Sequence, residues 1–228
     1  MKPERAETRI SGLLGALLPP GISAHDHAGP PAGVLLPEEA ALVGSGWSDV
    51  RRREFATGRQ VARVALAKLL PDRMPILKGA DGAPVWPPGF CGSITHCAGY
   101  YAAAVASTAE WLSIGLDAEV HDTLPDGVLP LIARPEEIEW IEHRRDGRHW
   151  DRLLFSIKES IYKAWNPILQ CWLDFSDASV RIDPVAGRFT VGIDHARAHL
   201  LDGGRRLEGR YLMTPSLILS VALVRREG

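Results

Sequence analysis

Residues 113–120 read "SIGLDAEV", an apolar stretch interrupted by two acids, Asp117 and Glu119, two positions apart. Its composition and its turn-like flanks read as a β-strand, and side chains at i and i+2 of a strand project from the same face. The two carboxylates are therefore aimed at one point. Like charges so close repel unless a proton or a cation relieves them. A hard divalent cation such as Mg²⁺ takes one or two carboxylates together with substrate phosphates. The plainer reading is an edge strand with two solvated acids, and spacing alone leaves both readings standing.

Outward from that strand, the bulk properties set limits. A chain of 228 residues, 46% hydrophobic and 24% charged, fits one large domain or two small ones with a real core. A net charge of −2 gives no overall pull toward nucleic acid or an anionic membrane. The three cysteines, Cys91, Cys97 and Cys171, form no CxxC pair and fit a reducing cytosol. Cys97, next to His96, reads as a small buried hydrophobe rather than a nucleophile. Residues Ile10 to Leu18, "ISGLLGALL", follow Glu4 and Glu7 and precede Pro19-Pro20. They read as an amphipathic first helix rather than a signal peptide. No run approaches the roughly 18 apolar residues of a membrane span. Residues 19–46, with His25 and His27, have loop composition.

A helix is expected from Trp47 to about Leu70, with Phe55, Ala62, Ala65, Leu66 and Leu69 on one stripe. Arg51, Arg52, Arg53, Arg59 and Arg63 surround it. Most of these fit a solvated basic face. Arg59, at i+4 from Phe55, lies at the edge of the stripe, where a guanidinium wants a phosphate or a carboxylate. Asp81-Gly82 marks a hairpin after Lys78 and Gly79. "GSITHCAGYYAAAVAS" (92–107) reads as a turn and then a strand of small residues. Residues 121–150 form a polar excursion with a helix near 135–145, ending in the basic run "HRRDGRHWDR" (143–152). A second long helix, "WDRLLFSIKESIYKAW" (150–165), puts Leu154, Ile157, Ile161, Ala164 and Trp165 on its apolar face. Ser156, Glu159, Ser160 and Lys163 lie opposite, and Pro167 ends it. Taken singly, Glu159 and Lys163 are an ordinary surface i,i+4 pair. "SVRID" (179–183), "RFTVGID" (188–194) and "LILSVALV" (217–224) read as strands. Helix-then-strands occurs twice, which permits two similar halves joined near residues 108–113.

Five motifs then add up to a resemblance. "GLDAE" (115–119) resembles the G-[IL]-D-x-E motif of the Sfp-type 4′-phosphopantetheinyl transferases, and "FSIKESIYKAW" (155–165) their F-[SC]-x-K-E-[AS]-x-Y-K-A signature. "GSITHCAGY" (92–100) looks like the G-S-[IL]-[ST]-H motif, and "KGADGAPVWPPGF" (78–90) like the G-x-P-x-W-P segment before it. "EFATGRQVARVAL" (54–66) is similar to the family's x-R-x-x-A-R-x-A-L helix. The motifs cover roughly residues 50–170 and are most similar to actinobacterial carrier-protein transferases serving polyketide, nonribosomal-peptide and lipid synthases. Residues before 47 match weakly, and nothing is carried over to them.

The resemblance implies an α+β, pseudo-twofold fold of two similar halves, residues 1–112 and 113–228, with the active site in the cleft between them. It implies transfer of the 4′-phosphopantetheine arm of coenzyme A to a serine of an apo acyl or peptidyl carrier protein, with release of adenosine 3′,5′-bisphosphate. Asp117, Glu119 and Glu159 match the family's carboxylates for Mg²⁺, with Mn²⁺ as the alternative cation. Glu159 also matches the base that deprotonates the acceptor serine, with Lys163 and His96 beside it. Lys158 and Lys163 match lysines near the phosphates, and Arg51, Arg59, Lys78, Gly79, Thr95 and His96 match positions that hold coenzyme A. A cytoplasmic monomer, free of nucleic acid and membrane, is expected. The rival expectations are a non-catalytic binder of coenzyme A or a carrier, and a metal-dependent phosphodiesterase. Because carrier proteins are usually acidic around the acceptor serine, Arg144, Arg145 and Arg148 are the candidate docking surface or else a solvated loop.

Overall fold

A computed structural model describes residues 12–201 and 207–226. In chain order the elements are β1 (Ile22–Ala28), α1 (Pro37–Ala40), α2 (Asp49–Ala67), β2 (Leu77–Lys78), β3 (Pro84–Val85), β4 (Phe90–Cys97), β5 (Tyr100–Ser107) and β6 (Trp111–Val120). There follow α3 (Leu129–Ile132), α4 (Pro135–Glu142), α5 (Trp150–Leu169), β7 (Ala178–Asp183), β8 (Arg188–Ile193), β9 (Leu207–Met213) and β10 (Leu217–Arg225). The class is α+β. One antiparallel sheet has the order β1-β5-β4, a second β6-β10-β9-β8-β7, and β2 and β3 form a small hairpin. The division at 112/113 falls just inside β6. Among the described residues no helix is long and apolar enough to cross a membrane.

The layers follow from side-chain alternation. Tyr101, Ala103 and Val105 of β5 pack under Val61, Ala62, Ala65 and Leu66 of α2. Tyr100, Ala102, Ala104 and Ala106 face the other way, onto Ile114, Leu116 and Ala118 of β6 and Leu219, Val221 and Leu223 of β10. A strand buried on both faces accepts alanine, because small residues let both neighbours come close. On the far face of the second sheet, Ile218, Ala222 and Val224 meet Leu154, Ile157, Ile161 and Trp165 of α5. The order is helix, sheet, sheet, helix, with β4 and β6 side by side at the junction. There the Ser93 and Thr95 hydroxyls accept from the Leu116 and Ala118 amides at 3.0 and 3.1 Å.

One device is built twice. Pro37 and Pro135 each occupy the first turn of a short helix, and the third residue of each helix is a buried glutamate. Glu39 accepts from the Leu36 amide that starts its helix and from the Ile76 amide, and it pairs with Arg63 of α2. Glu137 accepts from the Arg134 amide that starts its own helix and from the Val180 amide, and it pairs with Lys158 of α5 at 2.7 Å. In each half a buried carboxylate thus ties a short helix, a distant backbone amide and the long helix together.

Several sequence expectations need correction. Residues 10–11 of the expected first helix lie outside the described residues, and the rest contains only a 3₁₀ turn, Leu14–Ala16. Gly12 at φ +90° and Pro19-Pro20 leave no room for more. The stretch containing His25 and His27 is strand β1, not a loop, paired along β5. Its buried Asp26 is satisfied by the Tyr100 hydroxyl at 3.0 Å and the Gly12 amide at 2.8 Å. Residues 92–107 form two strands joined by Ala98-Gly99, both at positive φ, a two-residue turn without the usual Asn-Gly signal. Leu69 is 38% exposed, beyond the end of α2. Pro167 lies inside α5, which ends at Leu169 with Gln170 left-handed at φ +47°. The buried Trp165 and Leu169 hold that last turn despite the missing amide. Strand β9 carried no sequence signal.

Candidate active site

The site is assembled where α5 crosses β6. Leu116 and Ala118 face the inter-sheet core, so Gly115, Asp117 and Glu119 face α5. A methyl group on Gly115 would collide with the Ser160 carbonyl oxygen and lie 2.6 Å from the Ala164 amide nitrogen. Glycine is therefore what lets the helix backbone touch the strand. Ser156 and Ser160 are fully buried on this face rather than solvated, and the Ser156 hydroxyl meets that of Ser220 at 2.8 Å. The close crossing brings Glu159 and Lys163 beside the strand acids.

Asp117 is 4% exposed. Lys163 Nζ donates to its Oδ1 at 2.6 Å and to the Leu116 carbonyl at 3.2 Å, so Lys163 reaches across to the strand. Asp117 Oδ2 is buried with no hydrogen-bond partner. Burial, and then the Asp117 charge, hold the Glu119 carboxyl above the ordinary range against the pull of Arg152. Burial also raises Glu159, where the Lys163 charge opposes it and the Asp117 charge adds to it. Glu119 is drawn aside by Arg152 at 3.1 Å, and Arg152 is further anchored to the Asp122 and Thr123 carbonyls. Asp117 lies within electrostatic reach of both Glu119 and Glu159, but the three do not form a closed cage: among the described residues no group of three His, Cys, Asp or Glu side chains is arranged to hold a metal ion by itself. The donor set still fits a hard cation, since an orphaned buried oxygen and two carboxyls pushed upward are relieved by one positive charge.

The other half contributes donors for anions. Ser48 caps α2 by accepting from the Arg51 amide at 3.2 Å. The Arg51 guanidinium and the Lys78 ammonium both lie over the Trp47 ring, at 5.5 and 5.6 Å from its centroid. Arg59 is 6% exposed, deeper than the stripe edge expected for it. Its guanidinium lies over Phe55 at 4.4 Å, it donates to the Leu77 carbonyl at 3.4 Å, and its buried Nε has no partner. Burial, above all, lowers its pKa to about 10. His96 is surface-exposed and stacks on Tyr101 at 5.7 Å. It lies within electrostatic reach of Glu54 and Arg51 on α2 and of Lys163 and Asp117 across the junction. His96 thus lies where groups of both halves come within reach of each other. Gly79 sits at the hairpin, its amide donating to the Ala83 carbonyl at 2.8 Å.

Two expected ligand contacts have other roles. Lys158 is 2% exposed and donates to the Ile132 and Phe175 carbonyls at 2.7 and 2.9 Å besides its ion pair with Glu137. Three acceptors take all three ammonium hydrogens and leave none for a phosphate. Thr95 is buried, and its oxygen receives the Ala118 amide, so it joins β4 to β6. The alternation in "GSITH" could have indicated this, since Ser93 and Thr95 face one way and Ile94 and His96 the other. Burial and the nearby Glu119 and Asp117 charges push the Cys97 thiol up to about 12, which suppresses a thiolate. Arg152 was missed. Its i−7 spacing from Glu159 placed it on the same helix face, but nothing in the sequence named Glu119 as its partner. Beside Glu159 a cavity of about 200 Å³ is lined by Tyr162, Trp172, Leu173 and Phe175 together with Lys158 and Asp174.

Comparison with known proteins identifies the family to which the chain is similar. Residues 38–106 match the family described as the 4′-phosphopantetheinyl transferase N-terminal domain, and residues 113–211 match the 4′-phosphopantetheinyl transferase superfamily. The chain is similar to 4′-phosphopantetheinyl transferase Svp of Streptomyces mobaraensis, with 44% identity over 222 residues, covering 93% of this chain and 89% of the relative. It is 39% identical to Npt of Nocardia iowensis over 91% of this chain and 98% of the relative. It is 40% identical to PptT of Mycobacterium tuberculosis over 87% of this chain and 89% of the relative. Both of these carry the same enzyme name.

Proposed function

This chain belongs to the 4′-phosphopantetheinyl transferase superfamily and is a transferase of that kind, and on that premise we propose a specific reaction for it. It moves the 4′-phosphopantetheine arm of coenzyme A to a serine of an apo acyl or peptidyl carrier protein and releases adenosine 3′,5′-bisphosphate, with dependence on Mg²⁺. The observation that carries this reading is that, among the described residues, two charged side chains each keep a buried atom without a partner, Arg59 Nε in one half and Asp117 Oδ2 in the other, the third such atom being the neutral Trp111 Nε1. A buried donor without an acceptor wants an anion, and a buried carboxylate oxygen without a donor wants a cation. A diphosphate ester accompanied by a divalent ion supplies both.

In this reading Asp117, Glu119 and Glu159 would hold Mg²⁺, or Mn²⁺ in its place. The ion supplies charge neutralisation at the diphosphate when bound. Arg51, Arg59, Lys78 and His96 hold the phosphates and keep the phosphorus in line for attack. Glu159, with its raised pKa, takes the proton of the acceptor serine, and Lys163 orients Asp117 through its contact to Oδ1. The cavity lined by Tyr162, Trp172 and Phe175 takes the pantetheine arm. The carrier approaches over Arg144, Arg145 and Arg148. Arg144 is stacked on Trp140 at 4.1 Å, and Arg148 lies over Trp150 at 5.6 Å. The same reading places the protein in the cytoplasm as a monomer. Glu159→Gln tests the base: coenzyme A affinity is retained and turnover of an apo carrier is lost, whereas full activity would remove Glu159 from that role.

A further inference from the structure

We propose that Asp81 and Asn166 are positioning residues that clasp the β2–β3 hairpin of one half to α5 of the other; this rests on the coenzyme A reading above. Asn166 Nδ2 donates to Asp81 Oδ2 at 2.9 Å, joining a hairpin of one half to the long helix of the other. The carboxylate is set for this by its own turn. Its Oδ1 accepts from the Ala83 amide at 3.0 Å, and the Gly82 amide closes on the Gly79 carbonyl at 3.0 Å. A methyl group on Gly79 would lie 2.9 Å from Asp81 Oδ1, so the glycine makes room for the folded-back carboxylate. The base of the hairpin is tied separately, by Arg59 donating to the Leu77 carbonyl. Between the two ties stands Lys78 over Trp47. Leu77, Lys78, Ala80, Asp81, Gly82 and Val85 are exposed, so little packing holds the hairpin otherwise. Asn166 follows Lys163 by three residues on α5. The clasp therefore sets Lys78 opposite the helix that carries Glu159 and Lys163.

The test is steady-state transfer to an apo carrier, with calorimetric binding of coenzyme A, for the wild type, Asn166→Ala, Asn166→Asp, and the reversed pair Asp81→Asn with Asn166→Asp. Setting two carboxylates face to face in Asn166→Asp raises KM for coenzyme A about tenfold, the worth of one charge-assisted hydrogen bond. Asn166→Ala raises it less. KM for the carrier, kcat and melting temperature stay at wild-type values. The reversed pair restores KM, because an amide again faces a carboxylate. An unchanged KM in Asn166→Asp, or a rise that the reversed pair does not repair, overturns the clasp. Failure of the wild type to bind coenzyme A overturns the site reading instead.

Discussion

Gly115 decides how close α5 comes to β6, and through that the geometry of every group around Asp117. In Gly115→Ala the added methyl meets backbone, which cannot rotate away, so the helix must shift. The expected loss is about 3 kcal/mol or more of stability in urea denaturation, the range of severe overpacking; a wild-type midpoint would contradict the crossing geometry. Lys158 invites the opposite experiment. Removing one partner of a buried ion pair costs about 3–5 kcal/mol, so Lys158→Ala lowers the melting temperature while the folded protein keeps its coenzyme A affinity. A stable variant with weakened coenzyme A binding would return Lys158 to the phosphates. His96 supplies the pH dependence. Although part of the ring is open to solvent, desolvation by the protein packed around it comes first and, with Arg51 and Lys163 adding to it, holds the ring below its ordinary pKa against Glu54 and Asp117. The free ring is therefore mostly neutral near neutrality and must take up a proton to donate both nitrogens. Affinity for coenzyme A accordingly falls as pH rises above the lowered pKa of the free ring, a slope that calorimetry loses in His96→Ala.

At the scale of elements, the long helices were legible because their periodicity is strong and their partners are apolar. Less legible was what each face touches. Ser156 and Ser160 look solvated in sequence, yet they are the small residues over which α5 lies against β6 and β10. Strand β1 read as loop because its buried polar group, Asp26, is satisfied by the distant Tyr100 and Gly12. Partners far apart in sequence leave no local mark. The same cause hid Arg152, whose partner Glu119 lies 33 residues away. The carboxylate trio was legible only through the motif resemblance, since strand spacing gave two acids and no reaction. The α2 cap is a local feature with a functional consequence. Ser48→Ala costs about 1 kcal/mol in the first turn, and fraying there loosens Arg51. A modest rise in KM for coenzyme A, with KM for the carrier unchanged, is the expected kinetic result.

For the whole molecule, the recurrent Pro-Glu-Glu device gives each half its own internal anchor, Glu39 with Arg63 and Glu137 with Lys158. Each half thus holds its long helix independently, and the junction between them is left free for polar chemistry. The N-terminal half presents cations over an aromatic floor, and the C-terminal half presents carboxylates beside a cavity walled largely by aromatic side chains. That complementarity suits a ligand that is anionic at one end, bridged by a cation and apolar at the other. The measurement that tests this most directly is intact-mass spectrometry of apo carrier proteins incubated with coenzyme A. With the wild-type protein and Mg²⁺, the carrier gains one phosphopantetheine arm, and the gain disappears with chelator or in Asp117→Ala. No gain with any carrier, or an undiminished gain in Asp117→Ala, would contradict the account.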